Sequence, residues 1–138
     1  MAVHIDLTFD CADAPRLAEF WKLALGYEDE PPPPPYQTRE EWLEQFDLPE
    51  DDGDGAWLHD PAGVGPRLSL LEVPEPKTAK NRLHMDVRVS RGATGEERWA
   101  RVSEKVAILT KAGGSVLSED PGHHVTMADP EGNEFCVC

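Results

Sequence analysis

The stretch Arg82-Leu83-His84-Met85-Asp86-Val87-Arg88-Val89 alternates strictly between apolar and polar residues. Leu83, Met85, Val87 and Val89 fall on one side, and Arg82, His84, Asp86 and Arg88 on the other. This is the period-two pattern of a strand with one buried face. Eighty residues upstream, His4-Ile5-Asp6-Leu7 matches His84-Met85-Asp86-Val87. Two strands with the same His-x-Asp face, one in each half of a small chain, point to an internal duplication with a site shared between the halves.

Working outward, the first half opens with Val3, Ile5, Leu7, Phe9 and Cys11 alternating with His4, Asp6, Thr8 and Asp10, a predicted strand with one apolar and one polar face. Asp13 suits a helix N-cap, Pro15 is tolerated in the first turn, and Leu17, Phe20, Trp21 and Ala24 share one stripe that Gly26 ends. Tyr27–Glu30 carries a weak strand signal. Residues 31–55 read as an insertion over a rim of the domain. It starts with the five prolines Pro31–Pro35, a stiff extended spacer. Thr38–Glu41 has capping-box spacing ahead of Trp42, Leu43 and Phe46, which anchor the insertion or line a pocket. The acidic run Glu50–Gly55 reads as a solvated loop. Ala56–His59 and Arg67–Val73 are predicted strands around a Pro- and Gly-rich turn.

The second half repeats this order. Glu97–Ala112 is a predicted helix, with Trp99, Val102, Val106 and Leu109 on its buried face and Gly113-Gly114 as its stop. Ser115–Leu117, His124–Ala128 and Glu134–Cys138 are predicted short strands, the last two joined by the tight reversal Asp129–Asn133. Strand–helix–strands, twice, argues an α+β fold: tandem βαβββ modules, about 1–76 and 77–138, in a single domain around an open, barrel-like cleft.

Charge narrows the partners. The 138 residues carry 13 Lys and Arg against 27 Asp and Glu, a formal charge of −14, which repels phosphate backbones and disfavours nucleic acid. No apolar run approaches the roughly 20 residues of a membrane span, and the N-terminus lacks the pattern of a signal peptide. Three cysteines, with Cys136 and Cys138 on one face of the same strand, fit a reducing cytoplasm and not a disulfide framework.

Three blocks, taken together, resemble a known family. They are Asp10-Cys11 with Phe20-Trp21 and Leu25-Gly26, then Val73–Lys77 with Lys80–His84, then Asp129-Pro130-Glu131-Gly132-Asn133-Glu134-Phe135. The chain, except its insertion, resembles the glyoxalase-like domains of the vicinal oxygen chelate superfamily (glyoxalase, bleomycin resistance and dioxygenase proteins). The resemblance implies paired βαβββ modules, a small-molecule ligand and a homodimer. It also implies a lyase, isomerase or dioxygenase-like enzyme or, as the alternative, a metal-free protein that sequesters an antibiotic.

The superfamily's metal enzymes hold a divalent ion with His and Glu side chains from the polar sheet faces. The resemblance places His84 at the ligand position of the second half and His4 at its repeat, with Asp6 in an alternative register. Of Leu71 and Glu72, which fall near the fourth-strand position, only Glu72 can coordinate. The implied metal set is therefore His4, Glu72 and His84, for zinc, nickel, manganese or iron, and a site with no metal stays equally open. The last-strand glutamate position holds Cys136, with Glu134 two residues earlier on the same face. Glu134 is the candidate proton shuttle, and Asp6, Thr8, His124, Cys136 and Arg82 are candidate ligand-binding side chains. Cys136 as a nucleophile lacks, in the sequence, any base held beside it, and it reads as a small buried hydrophobe.

Overall fold

The structure, a computed structural model, describes residues 1–46 and 55–138. The first half contains β1 (Leu7–Cys11), α1 (Ala14–Leu25), β2 (Glu28–Asp29), α2 (Arg39–Leu43), β3 (Gly55–His59) and β4 (Leu68–Glu72). The second contains β5 (Asp86–Val87), α3 (Gly95–Lys111), β6 (Ser115–Asp120), β7 (His124–Ala128) and β8 (Glu134–Val137). The strands form two four-stranded sheets of the same order, β1-β4-β3-β2 and β5-β8-β7-β6. In each, the first strand runs parallel to the last and the other pairs are antiparallel. This is the duplication that the His-x-Asp echo predicts. Among the described residues no ladder joins the two sheets, so the barrel stays open.

Local chemistry sets the helices. Asp13 caps α1 by accepting the Arg16 N–H at 3.1 Å, and Gly26 closes it at φ 71°, where a side chain is strained. Leu17, Phe20 and Trp21 of α1, Val102 and Leu109 of α3, and Leu70, Met127 and Phe135 of the sheets join one continuous buried core. Its centre is aromatic: Trp21 meets Phe9, Phe20 and Phe135 edge to face, with centroids 5.0–5.6 Å apart. Because Phe20 and Trp21 belong to the first half and Phe135 to the second, the two modules share this core.

Two predicted strands come out shorter. The first starts at Leu7, not Val3, because its partner β4 starts only at Leu68, just after Pro66. The Leu7 N–H reaches the Arg67 carbonyl at 2.9 Å, and residues 1–6 have no strand to pair with and are exposed. The central stretch 82–89 contains a strand only over Asp86–Val87. Its backbone bonding to the last strand extends to the Met85 carbonyl and the Val89 N–H. Farther upstream, the Glu134 N–H donates to the Asn81 side-chain oxygen at 3.2 Å in place of a ladder carbonyl. Residues 82–84 therefore leave the sheet, and Leu83, predicted to be buried, is 77% exposed.

The insertion is pinned across β3. The Arg39 guanidinium lies 3.6 Å from the Trp57 ring centroid and 5.2 Å from that of Trp42, and Glu30 pairs with both Arg39 and Arg67. Trp42 packs edge-on against Phe46 at 5.5 Å, and neither lines the cleft described below. They anchor. Most of the acidic run Glu50–Gly55 lies outside the described residues.

Candidate functional site

A cleft of about 1040 Å³ opens between the edge of β1 and the second module. Leu7–Ala12 form one wall, and Leu83–Met85 with Asn133–Phe135 form the facing one. Val73, Glu75, Pro76, Lys77 and Asn81, from the connection between modules, close one end. Its base is tied together by Glu131, whose carboxylate accepts the Ala12 N–H at 2.6 Å and the Asp13 N–H at 3.1 Å. A side chain of the second module thus fixes the turn that leads from β1 into α1.

The cleft lining mixes charged, polar and apolar side chains. Glu134 faces into it and accepts from the Lys80 ammonium at 2.7 Å. That hydrogen bond, with the nearby charge of Lys77, holds the Glu134 carboxyl below its usual range. Glu134 is therefore a weak base while Lys80 stays on it. Thr8, Asp10 and Glu75 add polar groups, while Leu7, Phe9, Leu83 and Met85 add apolar surface.

Beside this cleft, β5 and β8 bring three donors together. The parallel register sets Asp86 opposite Cys136, and His84 reaches them from the segment just ahead of β5, outside the sheet. The donor atoms of His84, Asp86 and Cys136 all lie within 4.8 Å of one another. Donors around a tetrahedral zinc ion, at bond lengths of about 2.0–2.3 Å, stand about 3.5 Å apart. The cluster needs a contraction of about 1 Å, within the reach of two exposed side chains turning at χ1 and χ2. Imidazole, carboxylate and thiolate are together a fitting set for a borderline divalent ion. Thr126 Oγ1 stands 3.6 Å from the Cys136 sulfur, and Arg88 lies 3.7 Å from the Asp86 carboxylate.

The other candidate residues are dispersed. Thr8 and Glu134 line the cleft. His4 and Asp6 lie exposed ahead of β1, with Asp6 close enough to Arg67 to favour its charge. Glu72 shares its face of β4 with the buried Leu68 and Leu70, and its carboxylate accepts the Ala14 N–H at 3.0 Å, in the first turn of α1. Neither His4 nor Glu72 belongs to the donor cluster. His124 Nδ1 lies 3.8 Å from Asp120, and Arg82 is exposed outside the cleft lining. Two expectations for Cys136 are corrected: its side chain is half-buried, not buried, and an imidazole, His84, does stand near it. The tertiary fold supplies that neighbour from 52 positions away.

Sequence reasoning also missed Asp86 as a donor and Glu131 as the clasp between modules. Alternation alone puts Asp86 on the His84 face, so half of that signal was available. Its pairing with Cys136 was not, because the β5–β8 register has no local mark.

Residues 6–138 match the family model described as a glyoxalase-like domain. No curated protein sequence matches the chain. Among solved structures, trypanothione-dependent glyoxalase I of Leishmania major superposes with a TM-score of 0.66 at 18% identity, covering 99% of this chain and 86% of that one. A mutant fosfomycin resistance protein of Listeria monocytogenes, complexed with manganese(II) and a dihydroxypropylphosphonic acid, gives 0.67 at 10% identity, covering 99% and 91%. A possible glyoxalase from Bacillus cereus gives 0.62 at 19% identity, covering 99% and 98%. At these identities the structures establish the shared fold alone. The near full-length family match, on a chain built of two βαβββ modules around an open cleft, means that the protein belongs to the glyoxalase-like domain family.

Proposed function

We propose that the protein binds a small organic molecule in the cleft between its modules, beside a divalent ion held by His84, Asp86 and Cys136. The observation that carries this is the gathering of three donors within 4.8 Å, one of which, His84, lines the cleft. When bound, such an ion supplies Lewis-acid polarisation to a ligand oxygen. The chain's own residues do the rest. Leu7, Phe9 and Met85 hold the apolar body of the ligand, and Thr8 and Asn81 offer hydrogen bonds. The Lys80–Glu134 pair keeps a fixed charge at the wall, and a ligand hydroxyl that displaces Lys80 would meet Glu134 as a proton acceptor. The manganese held by the Listeria protein is consistent with this reading. A homodimer belongs to it as well, supported by Val3, Ile5 and Leu83, apolar and 65–84% exposed.

Titrating metal-free, fully reduced protein with zinc, cobalt(II), nickel(II) and manganese(II) tests the proposal. One ion should raise the melting temperature, and His84→Ala should abolish the rise. The apolar cleft lining favours a second reading, a metal-free sequestering protein. That reading replaces the first if no ion shifts the melting temperature while small-molecule binding survives a chelator.

A further inference from the structure

The three cysteines occupy three different environments. Cys11 is 4% exposed, its thiol donates to the Leu71 carbonyl at 3.4 Å, and burial with the nearby Glu131 pushes it up to about 11. Cys138 lies 3.9 Å from the Val87 carbonyl at the end of the chain. Cys136 alone shares a cluster with an imidazole and a carboxylate, and it is partly open to solvent. The last-strand position that the family resemblance assigns to a glutamate therefore holds here a donor that can be oxidised.

We propose that Cys136 makes the ion site redox-controlled: a peroxide oxidises its sulfur and the ion is released. This rests on the ion-binding reading of His84, Asp86 and Cys136. In the step, the thiolate sulfur attacks one peroxide oxygen, an S–O bond forms and the O–O bond breaks. The leaving hydroxide takes a proton to become water, so the thiolate is oxidised to a sulfenic acid and the peroxide is reduced. The sulfur then no longer carries the negative charge that made it a ligand. His84 and Asp86 remain, two exposed donors, fewer than the three protein ligands of an open zinc site. Thr126 Oγ1, 3.6 Å from the sulfur, is placed to bond the oxygen it gains.

The chain has no thiol suited to resolve the sulfenic acid. Cys138 is next but one on the same strand, where side chains stand parallel with Cα atoms about 6.7 Å apart, at the limit of disulfide geometry. Cys11 is buried in the other module. The oxidised state therefore waits for an external thiol. Two equivalents of that thiol return Cys136 to its reduced form, giving one external disulfide and water.

The test loads reduced protein with zinc, adds hydrogen peroxide, and follows the metal with a chromogenic chelator while mass spectrometry locates a dimedone adduct. The expected result is stoichiometric zinc loss, an adduct on Cys136 and zinc rebinding after dithiothreitol. Cys138→Ser should behave as the wild type does, and Cys136→Asp, which retains a charged donor, should keep its zinc through the peroxide. Zinc retained on protein whose Cys136 is oxidised, or zinc lost with Cys136 unmodified, overturns redox control and leaves the ion site standing. Failure of the reduced wild type to take up zinc overturns the ion site itself, and redox control with it.

Discussion

Glu134 and Lys80 face each other at 2.7 Å across the cleft wall, 54 positions apart in the chain, and each determines what the other can do. With its carboxyl held below the ordinary range, chiefly by Lys80, Glu134 is ionised at neutral pH. Lys80→Met should move its titration back toward the ordinary value of about 4.3, as read from the side-chain carboxyl resonance against pH. The sign follows from linkage. A lowered folded value contributes stability above the unfolded value, and that contribution is lost as pH falls through the folded one. The stability difference between wild type and Lys80→Met should therefore be full near pH 7 and vanish in acid. A difference that persists unchanged into acid would mean that Lys80 acts through packing.

The turn between β7 and β8 shows how one side chain holds an element. The Asp129 carboxylate, 3% exposed, accepts from Trp21 Nε1 at 3.1 Å, from the Glu131 and Asn133 N–H groups at 2.9 Å, and from Asn133 Nδ2 at 2.8 Å. Hydrogen bonds to a charged group contribute about 1.5–3 kcal/mol each and are not additive. Asp129→Ala, which strands several donors at once, should cost about 3–5 kcal/mol in urea unfolding. Because the same turn presents Glu131 to the start of α1, this variant should also loosen the base of the cleft. Gly26 offers a milder test. A Cβ there meets nothing within 4 Å, so Gly26→Ala should cost only the strain of the left-handed backbone, about 1–2 kcal/mol. Gly114→Ala should cost more despite an ordinary backbone, because its Cβ would stand 3.0 Å from the Leu109 carbonyl and the Phe20 ring.

At the scale of the molecule, an aromatic core joins Trp21 and Phe20 of the first module to Phe135 of the second, so the two modules should unfold together. Unfolding followed by tryptophan fluorescence and by far-ultraviolet circular dichroism should give coincident single transitions. Two separated transitions would show that the modules fold independently. Charge acts at the same scale. A net −14 on 138 residues is self-repulsion that the fold must overcome, and salt screens it over about 10 Å at 0.1 M. The melting temperature should rise by a few degrees between low and physiological ionic strength. A fall on adding salt would show that specific ion pairs such as Glu30–Arg67 outweigh the global repulsion.

Hydrophobic period, caps and turn glycines act over a few residues, so the order of elements and their duplication are legible in the sequence. Asp13, Gly26, the Trp99–Leu109 stripe and the strands over 124–128 and 134–138 are all local in this sense. Face is legible there too. Glu72 shares its parity with Leu68 and Leu70, a mark that the metal assignment from the family resemblance passed over, and its bond to the Ala14 N–H shows the helix side of the sheet. Where strands end and which faces meet depends on long-range pairing. The first strand stops where β4 offers no further partner, and 82–84 leave the sheet because Asn81 takes the Glu134 N–H. The same holds for the site. The parallel register of β5 on β8 brings Asp86 to Cys136, His84 joins them from the segment outside the sheet, and register is set by long-range packing that no local pattern encodes.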